Sequence, residues 1–139
     1  MSNEEFGHVS PELDELAMTL IADALDLLAD GEDVCVLVAT QDARGRVESF
    51  SVADDGPVAL LAAAHEKVRQ SKGAVRYAIC YEGAVEVEDG SYADALIAEF
   101  GERGHRSFSA YSLVSGKGLG DDLTYTDLAP AGEVEALLG

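Results

Sequence analysis

The chain has 139 residues and sets 27 acidic against 9 basic side chains, a formal net charge of −18, with 47% apolar and 26% charged residues. That balance suits one globular domain and is too hydrophobic for a disordered polyanion. The acidity argues against nucleic-acid binding, no stretch nears the roughly 20 apolar residues of a membrane span, and the N-terminus lacks a signal peptide's basic start, so a soluble cytoplasmic protein is expected.

Residues 1–9 carry polar and acidic letters without periodicity and read as a flexible arm ahead of a single domain over 10–139. Ser10-Pro11 starts a helix, with Ser10 as cap and Pro11 in the first turn. Leu13, Leu16, Ala17, Leu20, Ile21, Ala24, Leu27 and Leu28 follow helical spacing, and Gly31 stops it. A short apolar run, Val34 to Ala39, reads as a buried strand. It forms a hairpin with Val47 to Ala53 across the turn at residues 41–45. Asp54-Asp55-Gly56-Pro57 opens a second helix that runs to about Lys72, with Leu60, Leu61, Ala64 and Val68 as its buried stripe.

The remainder reads as β structure. Val75 to Tyr81 is a strand, Glu82-Gly83 a tight turn or bulge, and Ala84 to Glu88 an alternating strand. Asp89-Gly90 is a hairpin signal. Ala93 to Phe100 looks buried on both faces and leads through a loop to a strand over Ser107–Val114. Residues 115–130 form a glycine- and aspartate-rich segment, and Val134 to Leu138 suggests a short terminal helix. The order αββαββββ(α) predicts an α+β two-layer sandwich, with two helices on one face of a largely antiparallel sheet of five to six strands. The uncovered face then needs a partner. Tyr77, Tyr81, Phe100, Phe108 and Tyr111 are assigned to it, and a homo-oligomer, most simply a dimer, is expected.

No Lys or Arg precedes Arg44. Three accounts fit this acidity: a solvated outer face, adaptation to high salt, or a basic protein partner docking on the first helix. Surface charge of this kind governs solubility before anything else, which favours the first.

Catalytic motifs are sparse. His8, His65 and His105 have no second His or Cys at ligand spacing, so neither a metal nor a cofactor is expected. Cys35 and Cys80 lie in apolar strands and read as core residues. The glycine-rich stretch Ser115 to Gly120 departs from a phosphate-binding loop, because Lys117 is followed by Gly118 and then by Asp121-Asp122. The densest set of reactive groups is Asp94, Glu99, Glu102, Arg103, His105 and Arg106. Alternation puts Glu99 on the same side as Ala95 and Ile97, where a carboxylate needs a partner. Arg103, Arg106 and Arg76 are the expected ones, in a structural ion pair. As a site, Glu99, Glu102, Arg103 and His105 would bind a small anion or move a proton.

Between Arg76-Tyr77-Ala78 and Glu102-Arg103-Gly104, through Tyr81-Glu82-Gly83, Asp94-Ala95-Leu96-Ile97 and Glu99, the chain resembles a group of small uncharacterised prokaryotic proteins. That resemblance implies kinship without an activity. The opening order of elements is also similar in topology to Roadblock/LC7-like domains, which dimerise and regulate GTPases or motor complexes. Together these readings favour a non-catalytic binding or regulatory module that self-associates. The alternative is a small metal-independent enzyme or anion-binding protein using the Glu/Arg/His cluster of the 99–106 hairpin.

Overall fold

The computed structural model describes residues 10–32, 36–52, 57–105, 107–126, 129–134 and 137–138. The proposed N-terminal arm, Cys35, the opening of the second helix at Asp54 to Gly56 and the Arg106 side chain lie outside them.

Helix α1 spans Pro11–Ala29. The Leu13 N–H donates to Ser10 Oγ at 3.1 Å, which satisfies one of the donors every helix start leaves open. Its buried residues, Leu13, Leu16, Ala17, Leu20, Ile21, Ala24 and Leu28, all belong to the expected stripe. The helix closes in a Schellman arrangement: Gly31, at φ 81°, donates to Leu28 O at 3.0 Å, and Glu32 donates to Leu27 O at 2.9 Å. Strands β1 (Val36–Asp42) and β2 (Val47–Val52) form the expected hairpin. Helix α2 spans Pro57–Arg69, ending before the expected Lys72.

Strand β3 (Ala74–Glu86) pairs with β4 (Tyr92–Glu102) from Arg76↔Glu102 to Glu86↔Tyr92. It runs straight through Glu82-Gly83, where a turn or bulge was expected. A Cβ on Gly83 would lie 2.6 Å from Ile97 Cδ1 on the neighbouring strand. The glycine therefore makes room for a cross-strand side chain instead of turning the chain. Strands β5 (Ser107–Ser115), β6 (Thr124–Tyr125) and β7 (Ala129–Val134) complete an antiparallel sheet in the order β2-β1-β3-β4-β5, with β6 and β7 along the far edge of β5. Val134 ends β7, and Leu137 and Leu138 are buried in a turn, so these positions do not form the expected terminal helix.

The α+β class holds, but the helices do not share a face. Leu37 and Ala39 of β1, Ala78 and Cys80 of β3, and Leu96, Ala98 and Phe100 of β4 pack with α1. The alternate residues Val36, Val38, Tyr77, Ile79 and Tyr81 pack with Ala64 and Val68 of α2. Because strand side chains alternate, α1 and α2 cover opposite faces of the central strands. The runs that looked buried on both faces, as in β4, require this: an apolar strand with cover on one side only would leave half its side chains in water. The five aromatic residues assigned to one open face divide accordingly. Tyr77, Tyr81 and Tyr111 share the α2 side, while Phe100 and Phe108 lie on the α1 side with ring centroids 6.5 Å apart.

Candidate functional site

Glu99 is the buried carboxylate of β4, 7% exposed. Its strand position turns it toward α2, as alternation predicts. Glu99 Oε1 lies 2.8 Å from His65 Nε2, and Oε2 accepts the Tyr81 hydroxyl at 3.1 Å. The expected guanidinium partners are elsewhere: Arg76 and Arg103 both bond to other groups. A buried carboxylate requires partners for its lone pairs, and here helix α2 and strand β3 supply them. Burial, and next the adjacent Glu99 charge and hydrogen bond, push the Tyr81 phenol well above its ordinary pKa. The neighbouring Cys80 thiol faces α1 and is pushed up to about 12 by burial, so it is a core residue and no nucleophile at neutral pH.

His65 was legible as a partner only in hindsight of one signal. It stands four residues after Leu61 and three before Val68, which puts it on the buried stripe of α2. A half-exposed histidine on that stripe needs something polar below it. Sequence alone does not say that β4 passes there.

The other candidates of the 99–106 hairpin do not join Glu99. Glu102 alternates to the α1 side, where it accepts the Ser10 hydroxyl at 2.7 Å and lies 3.5 Å from Arg76 Nε. Arg76 Nη1 in turn donates to Gln41 at 3.1 Å. Ser10 thus caps α1 and ties its first turn to the sheet. Arg103 donates through Nη2 and Nε to the Ala74 carbonyl at 2.9 and 3.3 Å. His105 lies in the tight turn, its N–H on Glu102 O at 3.0 Å. Glu99, Glu102 and Arg103 each brace a different part of the frame. No group of three or more His, Cys, Asp or Glu side chains among the described residues is placed to hold a metal ion.

The glycine-rich stretch docks on the end of α1. Gly118 N–H donates to Leu28 O at 2.8 Å, and a Cβ on Gly31 would come within 3.3 Å of Gly118 Cα. Lys117 Nζ pairs with Glu82 at 3.3 Å. The loop caps a helix C-terminus, which attracts donors and cations, and its Gly118 donor is used up there.

Beyond that loop the sheet opens. Pairing between β4 and β5 ends at Ala95↔Leu113, although β4 extends to Tyr92 and β5 to Ser115. The two strands continue as separate ribbons, β4 with β3 and β5 with β6. A cleft of about 550 Å³ lies between them, lined by residues 92–94, 113–115 and 124–126. It shares Asp94, Val114 and Ser115 with a second hollow of about 350 Å³ beside Leu28, Glu82 and Lys117. Tyr92 and Tyr125 stand at the rim, 71% and 60% exposed.

No protein-family model, curated protein or solved structure matches this chain.

Proposed function

We propose that this protein is a non-catalytic binding or regulatory module that self-associates and works in the cytoplasm. One observation carries the reading. Glu99 and Glu102 lie on opposite faces of β4 and meet different partners, while Arg103, itself exposed, donates to the Ala74 carbonyl. A catalytic set needs its members around one substrate position. The free buried thiol of Cys80 suits a reducing compartment. Support for self-association comes from β2, which ends the sheet with β1 as its partner among the described strands and exposes Val47. Such an edge readily accepts a second strand.

Light scattering after size exclusion, at low and high salt, tests the reading. The expected mass is twice the 14.6 kDa of one chain. A monomer at every salt and protein concentration rejects self-association. The 99–106 cluster of the catalytic alternative does not come together, so a catalytic role would have to rest instead on the short His65–Glu99 contact. If Glu99→Gln lowers the melting temperature while a metabolite thermal-shift screen gives the same hits as wild type, the contact is structural.

A further inference from the structure

We infer that the splayed end of the sheet is a docking site for an extended, basic peptide segment of a partner protein, which adds to the open edge of β4 at residues 92–94. The inference rests on the binding-module reading above and names its site and ligand class.

Three independent features converge there. The first is backbone. Successive peptide groups of a strand point to alternate edges, so part of the 92–94 and 114–115 backbone faces the cleft with no strand across it. Both walls are held in place without a ligand. The β3–β4 ribbon is paired out to Glu86↔Tyr92. On the β5–β6 ribbon, Ser112 Oγ donates to Thr126 O at 2.6 Å and Leu113 N donates to Thr126 Oγ1 at 2.9 Å. The opening is therefore preformed, which spares an arriving chain part of the ordering cost.

The second feature is apolar. Tyr92 and Tyr125 are large aromatic side chains left in water on the two sides of the gap. Tyrosine offers contact area at small entropic cost and is enriched where proteins meet.

The third is charge. The ribbon from residue 82 to 94 carries Glu82, Glu86, Glu88, Asp89 and Asp94 with no Lys, Arg or His, and all five acids are exposed. Asp94 reaches into both hollows. It makes no hydrogen bond or ion pair with any described residue. A second copy of this chain would bring another −18 to the same place, whereas a Lys/Arg-bearing strand gains attraction from it. Tyr92, Asp94 and Tyr125 share one face of the strands. An extended peptide that pairs with β4 would therefore alternate its side chains, basic ones on that face with their charges toward Asp94 and their stems against the tyrosines, apolar ones on the face of Ala93 and Leu113.

The test uses the full chain and a fluorescein-labelled probe, acetyl-Val-Lys-Val-Arg-Val-Lys-amide, followed by anisotropy at low and physiological salt. Saturable binding is expected, weakened about tenfold or more by Asp94→Lys and also weakened by Tyr125→Ala. Asp23→Lys, the same charge change on the exposed side of α1, is expected to bind as wild type. An analogue methylated on every backbone nitrogen is expected not to bind, because neither of its edges can donate to a ladder. Equal loss in Asp94→Lys and Asp23→Lys, or equal binding of the methylated probe, would reduce the effect to general attraction and overturn the inference. No binding overturns it as well. Light scattering on the same variants separates the two readings. A native mass in Asp94→Lys leaves self-association standing whatever the peptide does. A variant that becomes monomeric makes the cleft the surface between copies and rejects the peptide.

Discussion

The two faces of the sheet are built from the same strands and solve different problems. Toward α1 the strands present Ala39, Ala78, Cys80, Leu96, Ala98 and Phe100, and the polar groups stand at the rim, where Ser10, Glu102 and Arg76 meet. Toward α2 the strands present Val38, Tyr77 and Ile79, but one register position holds Glu99, and a histidine and a tyrosine are recruited to satisfy it. The first face is hydrocarbon with a polar clasp at its edge. The second buries its clasp. The Arg76 and Glu102 side chains keep 18% and 19% of their surface in water against 9% for Glu99, so the loss of a partner is costlier at Glu99.

The largest expected effect crosses both faces. Cys80 looks toward α1 and Tyr81 toward α2, and both are held neutral, the thiol up to about 12. In the unfolded chain the thiol ionises from about pH 9 upward while the folded chain keeps its proton. Stability is therefore whole below pH 9 and falls as the pH rises toward 12, by on the order of 4 kcal/mol from Cys80. Tyr81 acts in the same direction. Denaturant melts between pH 8 and pH 11 (about the range in which these groups titrate) should steepen in wild type and flatten in Cys80→Ala and Tyr81→Phe. An unchanged slope in both variants would mean that neither group is shielded.

Next in size is the buried clasp. His65→Ala removes one partner of Glu99 and is expected to cost about 3 kcal/mol at neutral pH. The double variant His65→Ala/Glu99→Leu should recover much of that, because the carboxylate that lost its partner is gone. If the double variant loses as much as the two single ones together, the two side chains are not coupled and the distinction between the faces fails. The smallest effect belongs to the rim. Ser10→Ala deletes a helix cap and the link to Glu102, and is expected to cost about 1 kcal/mol by chemical denaturation. A loss matching that of His65→Ala would show the rim to be as demanding as the interior.

Much of the frame was legible because local rules agree with each other. In α1 the cap, the apolar stripe and the glycine stop point to one helix, and the β1–β2 and β3–β4 hairpins follow from alternation and from Asp89-Gly90. Gly83 misled because a glycine that frees space for Ile97 looks, in sequence, like one that turns the chain. Glu99 was recognisable as a carboxylate out of place. Its partners were not, since charge intuition selects nearby arginines and distance in sequence hides a histidine on the other side of a crossover.

What the amino-acid sequence by itself determined, then, is α1, the β1–β2 hairpin, the place of α2, the strands that became β3, β4 and β5, the two-sided burial of β4 and the presence of one carboxylate that must be neutralised. Only the tertiary structure decided that α2 crosses to the face opposite α1, that His65 and Tyr81 close on Glu99, and that β4 and β5 part company beyond Ala95. The reason is the range of the forces involved. Propensity and periodicity act over a few residues. The pairing of strands and the seating of a helix are chosen by packing between segments tens of residues apart, and no local pattern encodes which neighbour arrives.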